Sequence, residues 1–205
     1  MRFAENLMRS TGIDPTLYTI GHSTRTLEEF LSLLEVFGIK RLVDVRTVPR
    51  SRHVPWFNKE TLPAALKPRG ILYTHMPKLG GLRHAKKDSP NDGWRNASFR
   101  GYADYMATPG FAQGVEALNR LNEKRRVAIM CAEAVPWRCH RSMIADAEVA
   151  RGIPVRHIMS AKTANPHKLT SFAVVDKSSD PPLVQYPPYE EEFQPDGFMT
   201  GKKLR

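Results

Sequence analysis

Val127–Arg141 reads VAIMCAEAVPWRCHR. An apolar run enters the stretch, a polar turn containing proline follows, and a helical pattern leaves it, which spells strand, loop and helix in that order. The strand is expected at Arg126–Met130. Its helix is expected from about Cys139 to Arg151, stopped by Gly152. Both cysteines of the chain, Cys131 and Cys139, fall inside this one crossing, beside Glu133, Arg138, His140 and Arg141.

The same alternation repeats upstream and downstream. LYTIG, Leu17–Gly21, has the β-branched and aromatic content of a short buried strand. Thr26 and Glu29 then form a T-x-x-E capping box, and Leu27, Phe30, Leu31, Leu34 and Phe37 recur at helical spacing until Gly38. Further strands are expected at Arg41–Val45, Ile71–His75 and Val155–Met159, and further helices near Lys59–Leu66, at Phe99–Met106 and at Pro109–Glu123. The order β-α-β-α-β-α-α-β-α-β predicts an α/β fold: an open, mostly parallel sheet of about five strands with flanking helices, a Rossmann-like or rhodanese-like three-layer sandwich. Residues 1–16 read as an N-terminal arm, 17–160 as the domain with its cleft, and 161–205 as a partly irregular C-terminal extension. FAVVD and PLVQY are possible edge strands within that extension. Met76 to about Ser98 is too long for a plain connector, and loops of that length carry function or are mobile.

With 205 residues, 41% hydrophobic and 25% charged, the chain can bury a core without disulfide staples and lacks the composition of a disordered protein. Lys and Arg number 31 against 21 Asp and Glu, a net charge of +10, so its field concentrates anions and favours nucleic acid or nucleotides as partners. A basic surface that serves only solubility is the plainer reading. No apolar run reaches the ~18 residues of a membrane span. MRFAENLMRSTGIDP has charges through its short apolar stretch and lacks a secretory core. A cytoplasmic protein with reduced thiols is therefore expected, and a Cys131–Cys139 disulfide is the disfavoured state.

In an open parallel sheet, ligands bind beyond the carboxyl ends of the strands. The first strand ends in Gly21, His22 and Ser23. The second runs out through Asp44 and Arg46, the third ends at His75, and the fourth ends at Cys131 and Glu133. Each alone is ordinary, since a histidine after a strand is commonly a cap. Four on one edge predict a functional cleft.

Three chemistries compete there. As a thiol site, Cys131 lies between strand and helix with Arg138 in a C-x6-R spacing, and Cys139 lies at a helix start beside His140 and Arg141, so either thiolate can be stabilised. This resembles the loops of cysteine phosphatases and rhodaneses, and LVDVR resembles a rhodanese strand. The phosphatase loop, however, is C-x5-R and glycine-rich, whereas this one carries Glu133. As an acid–base site, Glu133 in a desolvated cleft, partnered by Asp44, would serve base removal from a nucleoside. A Glu133 ion pair with Arg138 or Arg141 is the structural alternative. As a metal site, Cys131, Cys139 and His140, with His22, suit zinc by ligand type, but C-x7-C-H lacks the C-x2-C knuckle. No cofactor is therefore expected, and zinc is disfavoured.

The loop after the second strand interleaves Arg46, Arg50, Arg52 and His53 with Trp56 and Phe57, a pattern suited to phosphate contact and base stacking. Lys78, Arg83, Lys86 and Lys87 add to the charge. Together these loops would admit a strand or an extruded base.

YTIGHST, DVR followed by P-R-S-R, LGG, FRGYADYM, and CAE followed by CHR occur in that order. Their combination resembles the bacterial family filed as domain of unknown function number 488, over about Leu17 to Met159. The resemblance implies an enzyme-like site at Gly21, His22, Ser23, Asp44, Arg46, Ser51, Cys131, Glu133, Cys139, His140 and Arg141, and it implies no reaction.

The expectation is an enzyme acting on a phosphate-bearing substrate, nucleic acid or a nucleotide, in base repair or modification or in glycosidic-bond cleavage. Glu133, Cys131, Asp44, His22, Cys139 and His140 are its catalytic candidates. Gly21, Ser23, Arg46, Arg50, Ser51, Arg52, Arg138, Arg141 and Tyr102 are its substrate- or phosphate-binding candidates. The alternatives are a rhodanese- or phosphatase-like thiol enzyme on a small anion and a non-catalytic nucleic-acid binder. Neither membrane association nor a particular oligomeric state is implied.

Overall fold

Strand β4, Val127–Cys131, is buried along its whole length and lies between two other parallel strands. That position explains an apolar run without polar alternation, because both faces of a central parallel strand are covered. The computed structural model describes residues 14–188 and the backbone strands 190–193 and 199–202. The elements are β1 (Leu17–Gly21), α1 (Leu27–Val36), β2 (Arg41–Asp44), α2 (Leu62–Leu66), β3 (Leu72–His75), α3 (Ala97–Met106), α4 (Pro109–Asn122) and β4. They continue with α5 (Arg141–Ala150), β5 (Val155–Ser160), β6 (Thr163–Pro166), β7 (Val174–Asp176), β8 (Leu183–Gln185), β9 (Glu190–Phe193) and β10 (Met199–Lys202).

The main sheet has six strands in the order β3-β2-β4-β1-β5-β6. Its first five strands are parallel, and β6 returns antiparallel to β5. Alternate residues of β4 feed two cores. Val127, Ile129 and Cys131 join the cluster that includes Tyr102, Phe111, Leu118, Met143 and Ile144 from α3, α4 and α5. Ala128 and Met130 join the one that includes Phe30, Leu34, Leu62 and Leu66 from α1 and α2. Helices on both faces of a mostly parallel sheet make the expected three-layer α/β fold.

The helix boundaries follow local chemistry. Glu29 N–H donates to Thr26 Oγ1 at 3.2 Å and Thr26 N–H donates to Glu29 Oε2 at 2.8 Å, the reciprocal capping box of α1. Pro109 opens α4 behind its cap Thr108.

The segment after residue 160 adds to the domain. β6 extends the sheet, the β7–β8 hairpin packs near α3 and α5, and Tyr186 is fully buried in the core. The expected edge strands in FAVVD and PLVQY are therefore that hairpin. Residues 1–13 of the expected arm, and the tail's 189, 194–198 and 203–205, lie outside the described residues. The long 76–98 stretch is pinned by one buried carboxylate. Asp104 accepts from Lys86 N–H at 2.8 Å, Ser89 Oγ at 2.6 Å and Asn91 Nδ2 at 2.9 Å. Among the described residues no helix is long and apolar enough to cross a membrane.

Candidate active site

β1 and β4 are neighbours, yet α1, which follows β1, covers one face of the sheet and α5, which follows β4, covers the other. Where successive connections diverge in this way a crevice opens at the carboxyl edge. A cleft of about 420 Å³ lies there, lined by residues that include Arg46, Thr47, Val48, Leu82, Phe99, Tyr102, Cys131, Glu133, Arg138 and His140. A larger groove of about 1170 Å³ runs between α4, the end of α5 and the β7–β8 region, but neither cysteine nor histidine lines it. Volume alone does not locate the chemistry.

Cys131 ends β4 and Cys139 precedes α5, and the crossing folds back so that the two sulfurs meet one imidazole. His140 Nδ1 lies 4.0 Å from Cys131 Sγ and 3.7 Å from Cys139 Sγ. His140 Nε2 lies 3.1 Å from the Val45 carbonyl. A carbonyl only accepts, so Nε2 carries the ring proton in neutral His140 and the Nδ1 lone pair faces the sulfurs. Arg141 N–H donates to Cys139 Sγ at 3.5 Å. The Cys131 thiol donates to the Cys139 sulfur, which holds Cys139 well below the usual thiol range, and His140 and Arg141 act in the same direction. That shared proton, with burial, pushes Cys131 up.

Arg46 points a buried guanidinium at the cleft and is held on every side. Its Nε donates to Asp44 Oδ1 at 2.9 Å and its Nη2 donates to Asp44 Oδ2 and the Phe57 carbonyl, both at 2.6 Å. Asp44 is fully buried and also accepts from Arg46 N–H at 3.0 Å and Tyr73 Oη at 2.8 Å. Four donors occupy its two oxygens, which leaves no free lone pair for acid–base work on a substrate. Asp44 therefore positions Arg46, where the sequence pointed to a partner for Glu133.

His22 has the same supporting place. Its Nδ1–H donates to the Ser23 carbonyl at 3.0 Å, its Nε2 accepts from Arg46 Nη1 at 3.1 Å, and its ring stacks on Phe57 with centroids 4.4 Å apart. Burial lowers its pKa to about 4, so the ring is neutral near pH 7. It does not line the cleft. Ser23 adopts φ 48°, an unusual backbone for a residue with a side chain, and its N–H donates to the Ala132 carbonyl at 2.8 Å.

Several other candidates sit differently from expectation. Glu133 is exposed at the cleft, not desolvated, and among the described residues its carboxylate has no ion-pair partner. Arg138 is likewise exposed and, among the described residues, without an ion pair. The two are thus free of the structural pairing the sequence allowed. Arg141 is 1% exposed and donates to the Glu133 carbonyl and to Thr19 Oγ1, so it braces the loop from below. Tyr102 lies under His140 with ring centroids 5.0 Å apart, and its hydroxyl is committed to the Leu79 carbonyl at 3.0 Å. Arg50 pairs with Glu60, Ser51 closes a turn with Asn58 and Val54, and Arg52 is exposed; none of these three lines the cleft.

Two glycines mark close approaches. A Cβ on Gly21 would fall 1.8 Å from the Glu133 carbonyl oxygen, so β1 and the cysteine loop meet through bare backbone. This is the role of Gly21, rather than phosphate contact. A Cβ on Gly81 would fall 2.4 Å from His140 Nδ1 and 2.9 Å from its flanking ring carbons. Gly81 was legible only as part of the LGG motif. Thr47 and Phe99 also line the cleft; Phe99 was legible only as the first residue of FRGYADYM, and no signal singles out Thr47.

No curated protein and no solved structure matches the chain. The family described as a domain of unknown function, DUF488, matches residues 26–148, which run from the cap of α1 through the whole cysteine loop and most of α5. That match covers more than half of the 205 residues, and the chain belongs to this family.

Proposed function

We propose that the cleft is the active site of an enzyme acting on a phosphate-bearing substrate of nucleotide size, free or as one unit of a nucleic-acid strand. The observation that carries this reading is that Arg138 and Glu133 line one cleft, both exposed and, among the described residues, free of ion pairs, against a wall of Val48, Leu82, Phe99 and Tyr102. Arg138 suits a phosphate through charge-assisted hydrogen bonds, and the apolar wall suits a base. Glu133 serves as the acid–base group for cleavage at the base or its glycosidic bond. It takes a proton from the attacking water as the water oxygen bonds to carbon, and returns that proton to the leaving nitrogen.

Calorimetric titration of the full chain with nucleoside monophosphates and the matching nucleosides tests this. The phosphates should bind at least ~10-fold more tightly, an advantage that fades with salt and disappears in Arg138→Ala. Equal affinity for both series, or an Arg138→Ala variant that keeps the difference, overturns the reading.

A second reading, a thiol enzyme on a small anion, is favoured by one observation: Cys131 lines the cleft with Cys139 and His140 directly behind it. In metal-free, reduced protein, fast stoichiometric alkylation of one cysteine with loss of turnover supports it, and two inert thiols remove it.

A further inference from the structure

We propose that Cys131, Cys139 and His140 form a zinc site with its remaining coordination position open to the cleft, an inference that rests on reading that cleft as the active centre. The spacing C-x7-C-H argues against such a site only while the chain is considered linearly. In the fold, β4 ends and α5 begins at one point, and one ligand atom from each residue lies within 4.8 Å of the others.

The geometry suits zinc closely. Zinc bonds of about 2.3 Å to sulfur and about 2.0–2.1 Å to nitrogen, set tetrahedrally, put sulfur and nitrogen about 3.5–3.6 Å apart. The observed sulfur–nitrogen separations are 3.7 and 4.0 Å, so movements of a few tenths of an ångström bring both to that spacing, and the two sulfurs lie within 4.8 Å of each other. His140 is already oriented. Its Nε2–H is held by the Val45 carbonyl at 3.1 Å, which is the outer-shell contact that fixes a metal-binding imidazole and directs the other nitrogen at the ion. Gly81 lies against the ring near Nδ1, and Tyr102 supports it at 5.0 Å, so the ring has little room to turn. Cys139 is anchored by the Arg141 N–H.

The ligand set also indicates what the ion would do. Cys131 and His140 line the cleft while Cys139 lies behind them, so the open position faces substrate. Three protein ligands and one open position are the pattern of catalytic rather than structural zinc. An ion held there would make a bound water more acidic; as that water passes a proton to Glu133, two residues beyond Cys131 and facing the same cleft, its oxygen would bond to the substrate carbon, the carbon–nitrogen bond would break, and Glu133 would return the proton to the leaving nitrogen. Two thiolates balance the charge of the ion, which lets the site form beside the buried Arg141 guanidinium without a further acid.

The test uses the full chain, reduced with a phosphine and stripped with a chelator, and titrated with Co²⁺ followed by Zn²⁺. One equivalent of cobalt should give a near-ultraviolet thiolate-to-cobalt charge-transfer band with visible bands of tetrahedral intensity, and zinc should abolish both. Cys131→Ser and Cys139→Ser should lose the charge-transfer intensity and at least ~10-fold in zinc affinity. Glu133→Gln should keep both, because it is not a ligand. Zinc-edge X-ray absorption of the wild-type chain needs no variant, so a folding defect in a serine variant does not blunt the test: a shell containing two sulfurs is expected. A shell of nitrogen and oxygen alone, or zinc affinity unchanged in both serine variants, overturns the proposal. Zinc binding without any preference for nucleotides would leave this site standing and remove the substrate reading. Nucleotide binding with no metal uptake would do the reverse.

Discussion

Arg141 and Asp146, both buried on α5, are joined through Thr19, His157 and His167 instead of a direct ion pair. Arg141 Nη1–H reaches Thr19 Oγ1 at 3.4 Å, and Thr19 Oγ1 lies 2.8 Å from His157 Nδ1. His157 Nε2 lies 2.9 Å from His167 Nδ1, and His167 Nε2 lies 2.9 Å from Asp146 Oδ1. The guanidinium only donates and the carboxylate only accepts, and the three groups between them connect the two by a continuous run of hydrogen bonds. Burial lowers the His157 pKa to about 3, which keeps that link neutral. The relay gives the buried cation beneath the cysteine loop a distant counter-charge.

Asp146→Asn removes that counter-charge and disturbs the bonds from Thr170 and Tyr186 as well. A loss of about 3–5 kcal/mol in unfolding free energy is expected, the usual cost of breaking a buried charged network. Chemical denaturation measures it, and a loss below about 1 kcal/mol would show that Asp146 does not balance Arg141.

Asp44→Asn should have an effect of similar size, since an amide keeps the shape but turns one acceptor into a donor facing Arg46 or Tyr73. Tyr73→Phe, which deletes only one of the four donors, should cost less, about 1.5–3 kcal/mol. Equal losses in the two variants, read by denaturation, would contradict the view that Asp44 acts mainly by clamping Arg46.

Gly81→Ala should crowd His140, because the added methyl would lie 2.4 Å from Nδ1. A loss of about 1–3 kcal/mol is expected from overpacking. Nitrogen-15 spectra should also show the His140 ring leaving its Nε2–H tautomer. Wild-type stability with an unchanged His140 signal would mean that the 79–81 turn yields freely.

Glu148 lies buried on α5 with burial raising its pKa from 4.5 to about 7 against the opposing pull of Arg151 and Asn119. The folded state therefore holds a proton that the unfolded chain has released between those values. Its contribution is fully present below pH 4.5 and is lost as pH rises through about 7. The loss should be on the order of 3 kcal/mol. Glu148→Gln should flatten this part of the pH–stability curve, and an unchanged curve would place the titration elsewhere.

The sheet was legible because its signals are local. LYTIG and VAIMC are short apolar runs, Thr26 and Glu29 bond to each other within one turn, and Pro109 starts a helix by its own geometry. β6 was not legible: TANP has a proline and no apolar alternation, and it is a strand only because β5 offers it an edge. The site was legible as a location through the residues that end β1, β2 and β4. Their roles were not. Asp44 and His22 carry the side chains of a catalytic pair, and only their contacts with Arg46 show them to be supports.

The amino-acid order by itself determined the alternating strand–helix plan, the net positive charge and the edge of the sheet at which the polar residues gather, because periodicity, caps and composition act over a few neighbouring residues. Tertiary structure alone decided that Cys131, Cys139 and His140 share one point in space, that Glu133 and Arg138 face one cleft, and that Arg141 is answered by Asp146 through Thr19, His157 and His167. Those relationships depend on parallel pairing between strands more than a hundred residues apart, and no spacing within the chain encodes such a meeting.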